Sequence, residues 1–272
     1  MDHIRILGII NLTDDSYYAQ SRVSGGKALL ERAARMVEEG ADGIDLGACS
    51  TRPGARPVGA EVEWQRLAPA VEAIRTAFPK LLVSIDTYWA SVVERVFDRI
   101  GTFIVNDISA GTFDPLMLPA AGRLGLPYIA MHLRGTPETM QSLTEYPDGV
   151  TAEVLRYFQA FSSRAEHAGI RDWILDPGFG FAKTLEQNWT LLRELDRLQA
   201  CGRPILVGIS RKSMIYKKFG ITPEEALPAT QAAHLVALQK GARWLRVHDV
   251  AEARRTAEIY SMMNTSSPGA AK

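Results

Sequence analysis

Polar and charged residues follow eight short apolar segments of this sequence, and their types suit the binding of a flat heterocycle and a phosphate group. The residues at or just beyond these segments are Asn11, Thr51 with Arg52, Asp86, Asn106, His132, Asp176, Lys212, and Arg246 with His248. In a parallel α/β barrel the carboxyl ends of the strands converge on one face, where the active site is built. The pattern therefore predicts both a fold and the place of its chemistry.

The residues at four of these ends have the groups needed to recognise a nitrogen heterocycle. Asp86 and Asp176 can each accept two parallel N–H bonds from a ring nitrogen and its exocyclic amine. Asn106 offers a donor and an acceptor, and Lys212 can donate to a ring carbonyl or nitrogen. The alternative is structural, because a buried carboxylate needs a partner and the aspartates could simply pair with Lys212 and Arg246.

A second group of residues suits an anion. Arg52, Arg246 and His248 carry donors for phosphate, and Asn11 offers an oxygen to Mg²⁺, which relies on few protein ligands together with substrate phosphates. Lys plus Arg and Asp plus Glu both total 31, so the net charge is zero and any attraction for an anion is local. This balance predicts no nucleic-acid partner and no membrane partner.

The segments between the apolar runs have helical periodicity and position these residues. One apolar stripe contains Leu29, Leu30, Ala33, Met36 and Val37, a second runs from Val150 to Ala165, and a third contains Leu191, Leu192, Leu195 and Leu198. Strands alternating with helices predict an α/β fold, a single-domain (β/α)8 TIM barrel, which the length of 272 residues fits. A doubly wound open sheet is disfavoured because no GxGxxG follows the first strand.

We assign the barrel to residues 1–263 and expect residues 264–272, which lack an apolar pattern, to be disordered. Residues 13–25, 51–62 and 134–149 are expected to be long, functional loops, the first of them ordering over bound Mg²⁺ and phosphate. Six of the predicted helices that precede a strand end at a glycine, as expected of a residue that accepts positive φ. These glycines are Gly40, Gly101, Gly125, Gly169, Gly202 and Gly241.

Other residues carry weaker signals. Cys49 and Cys201 are expected at opposite ends of the barrel and therefore not to form a disulfide. Phe181 could line a pocket for an aromatic ligand or pack in the core, and His132 has no assigned role. Thr184 is a candidate helix cap. No apolar stretch approaches a membrane span and no targeting segment is evident, so we expect a cytoplasmic protein.

The assembled motifs resemble those of the dihydropteroate synthases of folate biosynthesis. The matching segments are GIINLTDDSYY, GADGIDLGACSTRPGA, SIDT, IVNDIS, MHLRGTPETMQ, ILDPGFGFAKT, GISRKS and LRVHDV. They occur in family order from Ile6 to Val250, and SRKS, STRPGA and RVHD at their strand ends are the specific ones.

The resemblance implies a transferase that joins 6-hydroxymethyl-7,8-dihydropterin diphosphate to 4-aminobenzoate, a reaction that sulfonamides target. It implies Mg²⁺ as cofactor and a homodimer. The pterin-binding residues would be Asp86, Asn106, Asp176 and Lys212. Diphosphate would be bound by Asn11, Thr51, Arg52, Arg246 and His248, with Asn11 also contacting the metal ion. The aminobenzoate residues would be Thr51, Arg52, Phe181, Lys212 and Ser213.

The sequence departs from the family pattern at Asp14, Tyr17, Ala48, Cys49 and Ala182. None of these changes removes a proposed ligand-binding group. Two alternatives stay open: a pterin-dependent methyltransferase module, which has no need of a diphosphate site, and a catalytically silent pterin-binding paralogue. The SRKS and RVHD motifs argue against the first, and retention of every site residue argues against the second.

Overall fold

A computed structural model describes residues 3–12, 22–49 and 58–264 of the chain. Its eight parallel strands pair in chain order, and β1 pairs with β8, so the sheet closes into a barrel. The strands are β1 Arg5–Asn11, β2 Gly43–Gly47, β3 Leu82–Asp86, β4 Ile104–Asp107, β5 Tyr128–Met131, β6 Trp173–Asp176, β7 Ile205–Val207 and β8 Ala242–Val247. The predicted (β/α)8 barrel is confirmed.

Helices connect the strands and cover the outside of the barrel. They are α1 Arg22–Glu38, α2 Ala60–Ala77, α3 Ala90–Ile100, α4 Met117–Arg123, α5 Val150–His167, α6 Leu185–Arg193, α7 Ser213–Phe219, α8 Leu227–Gln239 and α9 Val250–Asn264. Both α7 and α8 lie between β7 and β8. Within the ranges described, no helix combines the length and the apolar character needed to cross a membrane.

The predicted apolar stripes form the core between barrel and helices. Leu29, Ala33 and Met36 of α1 are buried, as are Val154, Phe158, Phe161 and Ala165 of α5. The third stripe spans two elements, because α6 ends at Arg193 and Leu195 and Leu198 lie in a 3₁₀ helix, Leu195–Cys201. All four leucines of that stripe are nevertheless buried.

The interior of the barrel has its own apolar layer. It contains Leu7, Ile104, Ile129, Ile174 and Leu206, with Trp244 packed against them. Along a strand, the inward-facing polar residue lies two positions closer to the carboxyl end than the residue of this layer, as Asn106 does relative to Ile104 in β4 and Asp176 relative to Ile174 in β6. The polar site therefore lies on a solid apolar floor.

The six predicted helix-ending glycines all have positive φ, from 63° at Gly202 to 100° at Gly241. At Gly241 a side chain would also be excluded sterically, because an added Cβ would lie 2.4 Å from the amide nitrogen of Gln199. The repeated glycine therefore ends each helix for a conformational reason.

The loop boundaries differ from the sequence-based prediction. Arg22 already begins α1, whereas the sequence pattern predicts a loop through residue 25, and Ala60 begins α2, whereas the pattern predicts a loop through residue 62. In α2 the first turn contains Glu61 and Glu63, and acidic side chains favour the start of a helix. Residues 13–21 and 50–57, which hold the rest of both loops and the expected ordering of the first, lie outside the described residues.

The remaining local predictions agree with the structure. The connection from Met131 to Val150 is long, with only a short 3₁₀ helix at Met140–Ser142. Thr184 caps α6, and Gln187 completes a reciprocal capping box. Cys49 and Cys201 form no disulfide with each other. Helix α9 continues through Asn264, the first residue of the predicted tail, and residues 265–272 lie outside the described residues.

Candidate active site

Strand pairing brings the predicted residues together at the carboxyl end of the barrel. Asp86 of β3 is paired with Asn106 of β4, and Asp176 is the last residue of β6. Arg246 is one residue from the end of β8, and Lys212 immediately precedes α7. The mouth of the barrel thus holds two carboxylates, an amide and two cations.

Asp45 connects several of these groups and was not among the predicted site residues. It is completely buried and accepts hydrogen bonds from Ser84 Oγ at 2.5 Å, from Asn106 Nδ2 at 3.2 Å and from Arg246 Nε at 2.6 Å. The sequence does contain a signal, because Asp45 is two residues before the end of β2 and alternation turns it inward. Its partners on three other strands become evident only when the barrel closes.

Arg246 lies between two carboxylates. Besides Asp45, its guanidinium group donates to Asp86 Oδ2 at 3.0 Å. Although burial acts against the charged guanidinium, Asp45 and Asp86 keep the pKa of Arg246 above its usual value. Burial raises the pKa of Asp86 to about 7, even though Arg246 opposes the shift. The structural pairing considered in the sequence analysis therefore exists between Arg246 and Asp86.

Asp176 faces the pocket from β6. Its Oδ1 accepts the backbone N–H of Gly178 at 2.8 Å. Burial raises the pKa of Asp176, whereas Lys212 and the Gly178 N–H act to lower it. Among the residues that the structure describes, Gly178 alone donates a hydrogen bond to this carboxylate, which can therefore accept N–H groups from a ligand.

Lys212 lies against the loop that follows β6. Its Nζ donates to the carbonyl oxygen of Phe179 at 2.5 Å and lies 4.6 Å from the centre of the Phe181 ring. Burial lowers the pKa of Lys212 to about 8, and Asp176 opposes the shift. An ammonium group beside an aromatic ring and a carboxylate is suited to hold a polar heterocycle in place.

The residues predicted to bind an anion include His248, which lies in the loop after β8 and contacts the loop after β7. The backbone N–H and Nδ1 of His248 contact Ser210 Oγ, at 3.2 and 3.1 Å. Arg211, which has φ 54°, forms a bidentate ion pair with Asp249 at 2.6 and 2.8 Å. Burial, with Arg246 next, lowers the pKa of His248 to about 4, so this side chain is neutral at pH 7 without a ligand.

The other predicted site residues differ in their surroundings, and two of them are not described by the structure. Asn11 ends β1 and is exposed, and Ser213 begins α7. Phe181 packs beside a small buried cluster above the barrel mouth as well as facing Lys212. Thr51 and Arg52 lie outside the described residues.

Two residues that are not among the predicted site residues are buried behind the site. His132 is completely buried and Lys183 is 4% exposed, and Lys183 Nζ contacts His132 Nδ1 at 3.0 Å. The sequence signals were the position of His132 at the end of β5 and that of Lys183 directly before Thr184, the cap of α6. Composition alone did not indicate that the two would meet.

Comparisons with known proteins identify relatives over nearly the whole chain. Residues 7–248 match the family described as pterin binding enzyme. The dihydropteroate synthase of Escherichia coli (strain K12) is 41% identical over 254 residues, which is 93% of this chain and 89% of that protein.

Solved structures agree with this relationship. A Yersinia pestis dihydropteroate synthase in a sulfonamide drug complex is 36% identical, with a TM-score of 0.88 over 96% of this chain and 94% of that one. The enzyme from Thermus thermophilus, in complex with 4-aminobenzoate, is 42% identical, with a TM-score of 0.84 over 96% and 95% of the two chains.

Proposed function

The chain belongs to the dihydropteroate synthases, and from that premise we propose how its barrel mouth performs their reaction. The substrates are 6-hydroxymethyl-7,8-dihydropterin diphosphate and 4-aminobenzoate, and the products are 7,8-dihydropteroate and diphosphate. The family match and the related enzymes in complex with a sulfonamide drug and with 4-aminobenzoate support this assignment. Folate biosynthesis is therefore the expected context.

The observation that carries the residue-level proposal is that Asp176 and Lys212 both bond to the backbone of the loop after β6, Asp176 to the N–H of Gly178 and Lys212 to the carbonyl oxygen of Phe179. Lys212 is the principal group that lowers the pKa of Asp176 against the effect of burial. Asp176 accepts the two parallel N–H groups of the pterin, and Lys212 donates to its ring carbonyl or nitrogen. Asp86 and Asn106 bind the remaining polar edge from the adjoining strands.

Arg246, His248 and Asn11 form the protein side of the diphosphate site, with Thr51 and Arg52 completing it. His248 is neutral before the ligand arrives, because burial and Arg246 depress its pKa. An approaching diphosphate raises that pKa, since an adjacent negative charge favours the protonated form. His248 therefore becomes a second cationic donor only when the anion is present.

Mg²⁺ is proposed as the cofactor. No group of three or more His, Cys, Asp or Glu side chains suited to a metal ion is found among residues 3–12, 22–49 and 58–264. The donor set fits magnesium held mainly by substrate, because Asn11 offers an exposed neutral oxygen at the mouth and Mg²⁺ keeps several waters and phosphate oxygens. When bound, the ion supplies positive charge that stabilises the leaving diphosphate.

Phe181, Ser213 and Lys212, together with Thr51 and Arg52, are proposed to bind 4-aminobenzoate. Phe181 already lies beside Lys212, so an aromatic ring in that position would stack near the pterin while Lys212 contacts both ligands. Ser213 begins α7, and its hydroxyl can donate to a carboxylate. This arrangement brings the arylamine close to the carbon that it attacks.

The residues favour early cleavage of the C–O bond between the pterin methylene and diphosphate. Arg246 and His248 stabilise negative charge on the leaving group, and Asp86 and Asp176 favour positive charge on the pterin. The amine nitrogen then bonds to the methylene carbon and loses a proton to solvent. An arylamine is neutral at pH 7, so this attack requires no strong general base.

A homodimer and a cytoplasmic location complete the proposal. Phe219, Val236 and Ile259 expose 57%, 39% and 52% of their area on helices α7, α8 and α9. Exposed apolar side chains on consecutive helices suit a self-complementary contact. Light scattering on the purified protein tests the dimer, and cell fractionation tests the location.

The deciding experiment incubates the purified protein with dihydropterin diphosphate, 4-aminobenzoate and Mg²⁺, and follows both dihydropteroate and diphosphate. Omission of any component should abolish product formation. Pterin binding without product would indicate the silent paralogue, and methyl transfer from a methylated pterin would indicate the methyltransferase module. Asp176→Asn, which alters the proposed pterin site, is the control variant and should form product more slowly.

A further inference from the structure

The side chain of Lys183 points into the loop that connects β6 with α6. Its ammonium group donates to the carbonyl oxygens of Gly178 and Phe181, both at 2.9 Å, and contacts His132 Nδ1 at 3.0 Å. An ammonium has three N–H donors, so these three acceptors saturate it. Lys183 thus joins both ends of a tight turn to the end of β5.

The backbone of this loop needs such a cross-link. Gly178 and Gly180 have φ of 69° and 84°, and Ala182 has φ 50°, in a region that residues with a side chain rarely adopt. An added Cβ at Gly178 would lie 2.1 Å from the carbonyl oxygen of His132, so the loop lies directly against the end of β5. Strained backbone of this kind persists only where its surroundings hold it.

The same loop contacts two of the four residues proposed to hold the pterin, Asp176 and Lys212. Gly178, whose carbonyl accepts from Lys183, donates its N–H to Asp176 Oδ1 at 2.8 Å. Phe179 accepts from Lys212, and the Phe181 ring lies over the same ammonium. The position of this loop therefore sets the surroundings of Asp176 and Lys212 together.

We propose that Lys183 is a positioning residue for pterin binding, which holds the Gly178–Phe181 turn against His132 and supplies positive charge behind Asp176. The inference rests on the proposed function of the site. Lys183 does not touch the substrate itself. It acts through the Gly178 backbone and through its charge.

The electrostatics of the cluster support this role. Burial lowers the pKa of Lys183 to about 7, and Asp176 opposes that shift. Burial, with Lys183 next, keeps the pKa of His132 well below its usual value, so the imidazole is neutral and Nδ1 can accept the ammonium N–H. The charged groups that face Asp176 from the surrounding elements are Lys212, Arg246, Lys183 and Asp86, and Arg134 lies near His132.

The test is the variant Lys183→Met, which keeps much of the length of the side chain and removes its charge and donors. Affinity for 6-hydroxymethyl-7,8-dihydropterin is measured by calorimetry between pH 5 and 8. We expect binding roughly tenfold weaker at pH 7. The acid midpoint of binding should move to higher pH, because without Lys183 the carboxyl of Asp176 takes up its proton more readily.

Tyr146→Phe is the matched control. The Tyr146 hydroxyl donates to the carbonyl oxygen of Ala182 at 2.7 Å, so this variant removes one bond to the same loop without changing charge or touching Gly178. It should leave the acid midpoint where it is in the unmodified protein. A purely structural role for Lys183 would make the two variants behave alike.

The outcomes separate this inference from the proposed function. Absence of pterin binding in the unmodified protein would overturn both. If the unmodified protein binds the pterin but Lys183→Met shows the same affinity or the same acid midpoint of binding, the role of Lys183 alone is overturned. Should Lys183→Met not fold, the same titration of Lys183→Gln decides the question, because glutamine keeps a donor for one carbonyl but has no charge.

Discussion

Arg246 donates to Asp86 at 3.0 Å, so a residue proposed for the diphosphate directly contacts a residue proposed for the pterin. The same guanidinium group contacts the completely buried carboxylate of Asp45 at 2.6 Å. Residue chemistry alone treats the two subsites as separable, with Arg246 belonging to the anion. Their contact in the barrel makes the two subsites interdependent.

The first prediction follows from this contact. Arg246→Ala should weaken the binding of both diphosphate and a phosphate-free pterin, because Asp45 and Asp86 lose their shared cation. It should also lower the free energy of unfolding by roughly 3–5 kcal/mol, the usual cost of leaving a buried charge without its partner. Calorimetry with each ligand and denaturant unfolding measure these effects.

His248→Ala is the matched comparison, since the His248 ring contacts the Ser210 hydroxyl at 3.1 Å, whereas Arg246 contacts both carboxylates. This variant should weaken diphosphate binding and leave the pterin affinity nearly intact. Full pterin affinity in Arg246→Ala would show that the arginine serves the anion alone.

Asp176→Asn is predicted to weaken pterin binding strongly. The substitution replaces a charge-assisted pair of hydrogen bonds with neutral ones, a loss of roughly 1.5–3 kcal/mol of binding free energy. The Gly178 N–H can still donate to the amide oxygen, so the loop should keep its place. Calorimetry with a pterin analogue measures the change, and an affinity equal to that of the unmodified protein would remove Asp176 from the pterin site.

Diphosphate binding is predicted to be accompanied by proton uptake at His248. The pKa of this side chain is about 4 in the ligand-free protein, mainly because of burial, and a bound anion raises it. Between the pKa of His248 in the free protein and its higher pKa in the complex, the complex holds a proton that the free protein lacks. Affinity should therefore increase as the pH falls from 7 towards 5. Calorimetry in buffers with different ionisation enthalpies counts the protons, and His248→Ala should take up fewer. Equal uptake by both proteins would assign the proton elsewhere.

Glu63 is predicted to make the stability of the protein depend on pH. Burial raises the pKa of this α2 carboxyl to about 8, although Thr87 acts in the opposite direction. The folded state therefore binds more protons than the unfolded state between the ordinary value of 4.5 and about 8, so stability is lost as the pH rises through this range.

Glu63→Gln should remove this dependence. At pH 9 it should be more stable than the unmodified protein by a few kcal/mol, the free energy that corresponds to the pKa shift of Glu63. At pH 5 the two proteins should differ little. Denaturant unfolding at both pH values gives the comparison, with Glu61→Gln, an exposed position on the same helix, as control. An equal pH dependence in all three proteins would contradict the assignment.

Much of the fold could be predicted because its causes are local. The glycines at Gly40 and Gly241 end helices through their own conformational freedom, and both have positive φ in the structure. Inward-facing residues such as Asp86 and Asn106 follow from the alternation of a strand. The sequence pattern places the starts of α1 and α2 too late, because polar or glycine-containing composition does not exclude a first helical turn, and in α2 the acidic Glu61 and Glu63 favour one.

The sequence by itself determined the barrel and the set of polar residues at its mouth, since periodicity and strand ends depend on neighbouring residues only. The tertiary structure decided how those residues pair. Closure of the barrel brings Arg246 to Asp45, 201 positions away, and packing places Lys183 against His132, 51 positions away. The tertiary structure also determines the charge of these side chains, because burial depends on the whole fold. Burial makes His248 neutral and brings the pKa of Lys183 to about 7.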